Sequence, residues 1–438
     1  MSASLLALID CDNFFVSCER LFRADLQARP VVVLSSNDGC VVSRSKEAKA
    51  LGIPMGAPAF QYQQLFKIQG VVQFSANFEL YGDISERIIR LLTAITPRIE
   101  VYSVDEAFLG LDELDINDWQ AWAVAVRARV AKEVGIPVSI GIAETKTLAK
   151  IAVEHAKHVS GLEGVLYLSG QLDRRRHYLA ATAIQDVWGI GRRLAPRLRA
   201  EGVYTALDLA RLRPRYAQQL MGVHGRRLVA ELSGQCCHQL EQEGTVRQSI
   251  MHGRIFGEDT QQFLVIEAAI ASLTNKAASR LRAERLLAQT AVVQLTTNRH
   301  KPGYQRLNRQ LNFQVPTADG GYITAQLVAA VKASFSPSNW YHRVNIMLYD
   351  LVSQDGLQFD LFGNTNLEAA QSAFKRLWAV DSINKRYGRQ TVHYAAEDLS
   401  NSWQPKRLLR SPRYTTNWQE LPVVHTLQPK LERLDNKF

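Results

Sequence analysis

The sequence predicts a multidomain protein of mixed class, an α/β unit followed by an α+β module. Three observations predict it. At 438 residues the chain exceeds one ordinary domain. Strand-like and helix-like hydrophobic periods interleave through residues 1–170, as an α/β unit requires. Residues 245–355 then read strand, helix, strand, strand, helix, strand, the order of a small α+β module.

In chain order, residues 4–11 (SLLALIDC) are a continuous apolar run, read as a buried strand that ends on Asp10. PVVVLSSNDGCVV (30–42) predicts two short strands around an Asn-Asp-Gly turn. Residues 45–51 are helical in character and stop at Gly52 and Pro54. Phe78, Tyr81, Ile84, Ile88, Leu91, Leu92 and Ile95 recur at three and four, which marks one amphipathic helix. IEVYSVDEAFLGL (99–111) alternates as strand residues do, and helices at 118–134 and 146–157 flank a strand at 138–142. Residues 171–235 hold no convincing strand and read as short helices. The later module has strands at 246–256, 289–298, 306–314 and 342–351, with helices at 260–286 and 321–335. Past Asp355 the pattern thins to one helix at 366–379, and Pro405, Pro412, Pro422 and Pro429 punctuate a tail expected to be mobile.

Hydrophobic content of 46% and charged content of 21% are those of a globular protein rather than a disordered one. The amino-terminal apolar run stops at Asp10, too early for a signal peptide or a membrane span, so no membrane role and no export are expected. Cys11, Cys18, Cys40, Cys236 and Cys237 form no C-x-x-C pair, which argues for reduced thiols and against a zinc site. His155 and His158 have helical spacing but no third ligand. The net charge of +10 is unevenly spread. Residues 1–170 are mildly acidic, whereas 171–235, 245–355 and 356–438 are each basic, and every positive charge in 171–235 is an arginine. An acidic core with basic appendages suits a nucleic-acid enzyme, although an acidic protein or a membrane surface would satisfy charge alone.

The chemistry-bearing feature is Asp10 at a strand end together with Asp105-Glu106 inside an apolar strand pair. Ionised carboxylates are costly to bury unless a cation or hydrogen bonds compensate them. Three at strand ends and bends offer hard oxygens to divalent cations such as Mg²⁺. Adjacent strand residues point to opposite faces, so Asp105 and Glu106 share a site only if the chain bends there. Taken alone, the pair reads more simply as a solvated hairpin turn.

The wider text reverses that reading. SVDEAF, the run D-x-D-x-F-F-x-S-C-E from Asp10 to Glu19, and GIAETKTLAKIAVEHAK (141–157) together resemble the palm signatures of the Y-family translesion DNA polymerases. Within that family the chain is most similar to the UmuC type, the catalytic subunit of bacterial DNA polymerase V. The resemblance implies a right-hand polymerase with palm (1–25 and 76–170), small fingers (26–75), helical thumb (171–240), little finger (241–355) and a tail for partner binding (356–438). It implies low-fidelity, template-directed translesion synthesis in the SOS response to DNA damage. By similarity, Asp10, Asp105, Glu106 and the backbone carbonyl of Cys11 hold two Mg²⁺ ions, with Mn²⁺ a possible substitute, while a primer 3′-hydroxyl attacks the α-phosphate of a dNTP.

Phe15 matches the family's steric gate, which leaves no room for a ribose 2′-hydroxyl; without the motif it would equally be a core aromatic. Backbone amides of Phe14 and Phe15, with Ser43, Lys49 and Lys157, look like dNTP contacts. Where many relatives carry Tyr-x-x-Arg, this chain has Lys46 and Lys49, and lysine lacks the bidentate fork of arginine. Arg44 is an alternative phosphate contact. VWGIGRRLAPRLRAEGV (187–203) resembles a helix-hairpin-helix, with Gly189 and Gly191 in its turn and Arg192 and Arg193 beside a helix start whose free amides would face DNA phosphate. Arg247, Arg254, Arg299 and Arg309 are candidate little-finger phosphate contacts. Gln358, Phe359, Asp360, Leu361 and Phe362 resemble a β sliding-clamp motif. Implied partners are primer-template DNA, dNTP, a processed UmuD-like dimer, RecA and the clamp, in the bacterial cytoplasm at the nucleoid. A catalytically silent DNA-binding scaffold is the competing reading.

Overall fold

The computed structural model describes residues 5–241, 247–356, 367–388, 390–397, 403–421 and 423, so the pentapeptide 358–362 lies outside the described residues. The chain forms two units, one of residues 1–35, 39–244 and 409–438 and the other of 36–38 and 245–408.

In the first unit β1 (Leu6–Cys11) leads into α1 (Phe14–Leu21). A small three-stranded sheet follows, ordered β3-β2-β4, from β2 (Val31–Leu34), β3 (Val41–Arg44) and β4 (Val72–Ser75). Between its strands lie α2 (Lys46–Ala50) and α3 (Ala59–Ile68), and their Ala48 and Phe66 bury against Val32, Leu34 and Val41. After α4 (Phe78–Thr93) come β5 (Ile99–Val101), β6 (Glu106–Gly110), α5 (Trp119–Glu133), β7 (Val138–Ala143), α6 (Lys146–His158) and β8 (Val165–Tyr167). The main sheet has the order β5-β6-β1-β7-β8. β1 is apolar at consecutive positions because both its faces are covered. Ala7, Ile9 and Cys11 pack with α1, α4 and α5, while Leu8 on the opposite face packs with α6. Five short helices complete the unit: α7 (Leu172–Ala181), α8 (Leu194–Ala200), α9 (Ala206–Ala210), α10 (Pro214–Met221) and α11 (Val223–Leu232).

Within the second unit, residues 249–353 follow the expected strand-helix-strand-strand-helix-strand order. Its antiparallel sheet, ordered β11-β10-β12-β9, comprises β9 (Ser249–Thr260), β10 (Leu286–Thr297), β11 (Arg306–Thr317) and β12 (Tyr341–Ser353). Helices α12 (Phe263–Ala283) and α13 (Gly320–Lys332) bury Ile266, Leu273, Leu281, Ile323 and Leu327 against it. α14 (Leu367–Tyr387) follows.

The tail departs from the expectation of mobility. Arg282 pairs with Asp381 of α14 at 2.6 Å, and Trp403 is buried in the second unit's core. Residues 409–414 belong to the first unit, where Tyr414 joins the palm core. Pro405 and Pro412 lie in an irregular segment that packs on other elements, whereas Pro422 and Pro429 lie outside the described residues.

α6 approaches β7 closely at Gly141, where an added Cβ would meet the backbone oxygen of Ala149 and the backbone nitrogen of Val153. Gly141→Ala is therefore expected to lower stability by about 1–3 kcal/mol through overpacking, read as a reduced urea midpoint at unchanged slope.

Candidate active site

The register of β1 on β6 pairs Asp10 with Glu106, and opposite residues of an antiparallel pair share a face. That face also carries Leu8 and Phe108, which pack with Leu148, Ile151 and Ala152 of α6. α6 brings two cations to it. Lys157 Nζ lies 2.7 Å from Asp10 Oδ1, and Lys150 Nζ lies 2.9 Å from Glu106 Oε2. Seven residues apart, the lysines lie two helical turns from each other on one face.

The two carboxyls interact as well. Burial, and the neighbouring Glu106, push the Asp10 carboxyl well above the usual carboxylate range despite the Lys157 ammonium. Burial also works against Glu106, but hydrogen bonds from Asp10 and Lys150 bring it below its ordinary value. The two carboxyls therefore titrate as a pair, and burial together with their mutual repulsion favours one shared proton.

Asp105 stands apart. The bend anticipated from the sequence exists, because the amides of Tyr102 and Ser103 both donate to the Glu106 carbonyl at 3.1 Å. Within that turn Ser103 Oγ donates to Asp105 Oδ1 at 2.6 Å and accepts from the Glu106 amide at 3.1 Å. The backbone still ties the motifs together, with the Cys11 amide donating to the Asp105 carbonyl at 2.9 Å. The structure thus brings Asp10 and Glu106 together but leaves the Asp105 carboxyl on Ser103. Among the described residues no group of three or more His, Cys, Asp or Glu is arranged to hold a metal ion. Two hard-oxygen carboxylates balanced by ammonium groups do fit a divalent cation, which would compete with the lysines for the same oxygens.

Asn13, in the left-handed region at φ 48°, turns the chain from β1 into α1. Phe14 is buried, whereas Phe15 is half-buried, stacked on Tyr81 at 4.5 Å and edge-on to Phe78 at 5.7 Å. Ser43 Oγ lies 3.4 Å from the Asn13 carbonyl. Burial, with repulsion from Arg44 and Lys157, holds the Lys49 ammonium below its usual value, so these three cations are electrostatic neighbours. Lys46 is exposed on α2, and Arg44 donates to the Ile53 carbonyl.

Residues 9–154 match the impB/mucB/samB family, residues 247–361 its C-terminal domain, and residues 362–424 a domain of unknown function. Protein UmuC of Salmonella typhimurium is 38% identical over 421 residues, covering 95% of this chain and 99% of that protein. Protein SamB of the same organism is 34% identical over 96% of this chain and 99% of its own length. Among solved structures, a chimeric Y-family DNA polymerase built on Dbh covers 80% of this chain and 99% of its own, with a TM-score of 0.65 at 21% identity. The chain belongs to the Y-family translesion DNA polymerases. Its place in the UmuC, SamB, ImpB and MucB branch makes it a low-fidelity polymerase of the SOS response, and the right-hand arrangement of palm, fingers, thumb and little finger is the fold it shares. Among the described residues no helix is long and apolar enough to cross a membrane.

Sequence reading missed part of this polymerase site. Lys150 Nζ sits 4.3 Å above the Tyr102 ring and 5.7 Å from that of Trp188, whose Nε1 donates to Tyr102 Oη at 3.2 Å. Trp188 immediately precedes the thumb hairpin, so this aromatic cage joins the hairpin to the lysine on Glu106. The seven-residue spacing of Lys150 and Lys157 was the available signal. In the hairpin Gly189 adopts φ 89°, and Gly191, Arg192 and Arg193 are exposed. The amides of Leu194 and Ala195 donate to the Gly191 carbonyl at 2.9 and 3.1 Å, so these two amides close the turn rather than stand free.

The little-finger register reassigns two of the four candidate arginines. Arg254 pairs with Val344 and Arg309 with Val293, both core residues, so these arginines leave the sheet on its helix-covered side. Arg309 Nε donates to Ser334 Oγ at 2.9 Å. Arg247 is paired with Glu284 at 2.9 Å, and Arg299 is exposed beside His300. The opposite face carries exposed Arg306 and Arg343, both paired across the ladder with Thr296, together with Gln294, Asn308 and Asn345.

Lys157 is a counterweight to the burial of Asp10. Lys157→Met is expected to move the Asp10 titration to still higher pH in metal-free protein, read from its carboxyl ¹³C shift. An unmoved titration would remove Lys157 from the electrostatics of the site.

Proposed function

We propose that the polymerase joins a primer 3′-hydroxyl to the α-phosphate of a dNTP by two-metal nucleotidyl transfer, with Asp10, Asp105, Glu106 and the Cys11 carbonyl holding two Mg²⁺ ions or Mn²⁺ in their place. The observation that carries this reading is the Asp10–Glu106 pair, held against two lysines at the end of a buried strand. Two bound cations supply charge stabilisation at the attacking and leaving oxygens. Asp105 takes part after releasing Ser103.

The chain's own residues bind and orient the nucleotide. Lys49, Lys157 and Arg44 form one cationic locus that suits a triphosphate, to which Lys157 would turn from Asp10. Ser43 and the amides of Phe14 and Phe15 complete the binding set. The Phe15 ring is backed by Tyr81 and excludes the 2′-hydroxyl by occupying its space. The small fingers check the nascent pair loosely, which admits damaged templates.

Gly189 to Arg193 of the thumb, with Arg299, Arg306 and Arg343 of the little finger, grip backbone phosphates without reading bases. Arg247, Arg254 and Arg309 are less suited, being paired or on the covered side. The clamp contact is assigned to Gln358, Phe359, Asp360, Leu361 and Phe362, and a processed UmuD-like dimer and RecA complete the assembly at the nucleoid. A silent scaffold is disfavoured because it gains nothing from keeping a costly buried carboxyl pair.

With the accessory proteins and Mg²⁺ supplied, the polymerase is expected to extend a primer past an abasic site. Asp105→Asn should lower that rate on the order of a thousandfold, the several kcal/mol of charge stabilisation a metal ion provides. Calorimetry should show the same substitution weakening Mg²⁺ binding. Normal extension and normal binding by the variant would defeat the assigned site. Phe15→Ala should admit ribonucleotides with little change in deoxyribonucleotide use.

A further inference from the structure

The segment 409–414, within the matched domain of unknown function, is docked within the first unit by a set of polar contacts. Leu409 exchanges two hydrogen bonds with the end of β4. Its amide donates to Ser75 Oγ at 2.9 Å, and its carbonyl accepts from the Ser75 amide at 3.0 Å. Asn77, whose side chain also caps α4, reaches the carbonyls of Ser411 and Pro412 at 3.1 and 3.2 Å. Tyr414 stacks on Phe22 at 4.5 Å.

Ser411 makes the contact that matters for the site. Its Oγ donates to Glu19 Oε1 at 3.0 Å, and the same oxygen accepts from Tyr81 Oη at 2.6 Å. Glu19 is fully buried, and its second oxygen has no hydrogen-bond partner among the described residues. The two hydroxyls are therefore the side-chain donors that keep this carboxyl in place. The Tyr81 ring in turn stacks on Phe15, nearly parallel at 14°. A hydroxyl from the carboxy-terminal segment thus reaches the Phe15 ring through two intermediate side chains, both fully buried.

We propose that residues 409–414 act as a positioning strap, in which Ser411 acts through Glu19 and Tyr81 to fix the ring that discriminates deoxyribose from ribose. The proposal rests on the reading of Phe15 as the steric gate. Loss of Ser411 leaves Glu19 with one side-chain donor, lets the Tyr81 hydroxyl shift with it, and loosens the surface against which Phe15 is held. Sugar selection is then relaxed while Asp10 and Glu106, on β1 and β6 rather than on α1 or α4, are unaffected.

The test uses the full chain with the processed UmuD-like dimer and RecA, measuring kcat/KM for a ribonucleotide and its deoxyribonucleotide. Ser411→Ala is expected to raise the ribonucleotide-to-deoxyribonucleotide ratio about fivefold, the worth of one hydrogen bond, with deoxyribonucleotide kcat kept within about twofold. Tyr81→Phe should act similarly, and the double variant should exceed neither single one by much, because both hydroxyls converge on one oxygen. Ser411→Thr, which keeps the hydroxyl, should restore selection. In the full chain alone, ¹³C relaxation of the Phe15 ring should report greater motion in Ser411→Ala. If Phe15→Ala admits ribonucleotides while Ser411→Ala and Tyr81→Phe leave both the ratio and the ring motion unchanged, the strap is overturned and the gate stands. If Phe15→Ala itself leaves selection intact, the gate reading falls and the proposal with it.

Discussion

Setting two carboxyls side by side on a covered sheet face costs more than burying either alone, and the palm is arranged around the offset to that cost. The offset comes from α6, whose lysines at 150 and 157 reach Glu106 and Asp10. Its own placement is closely determined. Gly141 lets it approach β7, Thr145 caps it by accepting from the Leu148 amide at 3.2 Å, and the Thr145 hydroxyl donates to the Glu231 carbonyl of α11 at 2.9 Å. Glu231 also accepts from the Thr147 amide, and Lys146 is locked to buried Glu100 at 2.6 Å. The first turn of α6 is thereby tied to the thumb and to β5, so the lysine positions depend on contacts far from the carboxylates.

Much of this was legible in the sequence because it is local. Strand ends, the 78–95 periodicity and the β-α-β-β-α-β order are properties of neighbouring residues, and the structure has elements at each. The separated carboxylates were legible only through the surrounding motifs. Pairing was not legible. Whether Arg309 lies on the open or covered face of its sheet depends on which residue it opposes, and a shift of one residue would invert the answer. The same holds for Asp105, which the motif groups with Glu106 but whose carboxyl the turn hands to Ser103. Composition also misled in the tail, where prolines and sparse apolar residues describe an extended strap as well as a loose end.

The cationic locus shows how one charge serves two roles. Lys157 neutralises Asp10 at 2.7 Å and is also an electrostatic neighbour of Lys49. Burial tends to discharge the Lys157 ammonium, but Asp10 outweighs it and holds the group above its usual value. Among the described residues Lys49 makes no such ion pair, and burial with its cationic neighbours holds it down against the pull of Glu154 and Asp12. Relief of that repulsion by an anion is an attractive contribution to binding that does not require the bidentate geometry of arginine. The lysine found where many relatives carry arginine is therefore compatible with a functional phosphate site.

Glu19 presents the opposite problem, a buried acid with no ion pair among the described residues, although Arg23 acts on it from a distance. Burial raises its carboxyl above the ordinary range, and hydrogen bonds from Tyr81 and Ser411 only partly oppose this. A raised value means that the group's stabilising contribution is full below the usual carboxylate range and is lost as pH rises through the folded value. An amide would avoid that cost, but its oxygen is a weaker acceptor for two hydroxyls than a carboxylate is. Retaining an acid here makes sense where the short Tyr81 contact is itself what the position provides. Core packing holds the Tyr81 ring against Phe15, and the 2.6 Å bond fixes the direction of its hydroxyl end. The strap then has a physical reason to end on Glu19, since among the described residues that buried oxygen links Ser411 through Tyr81 to the Phe15 ring.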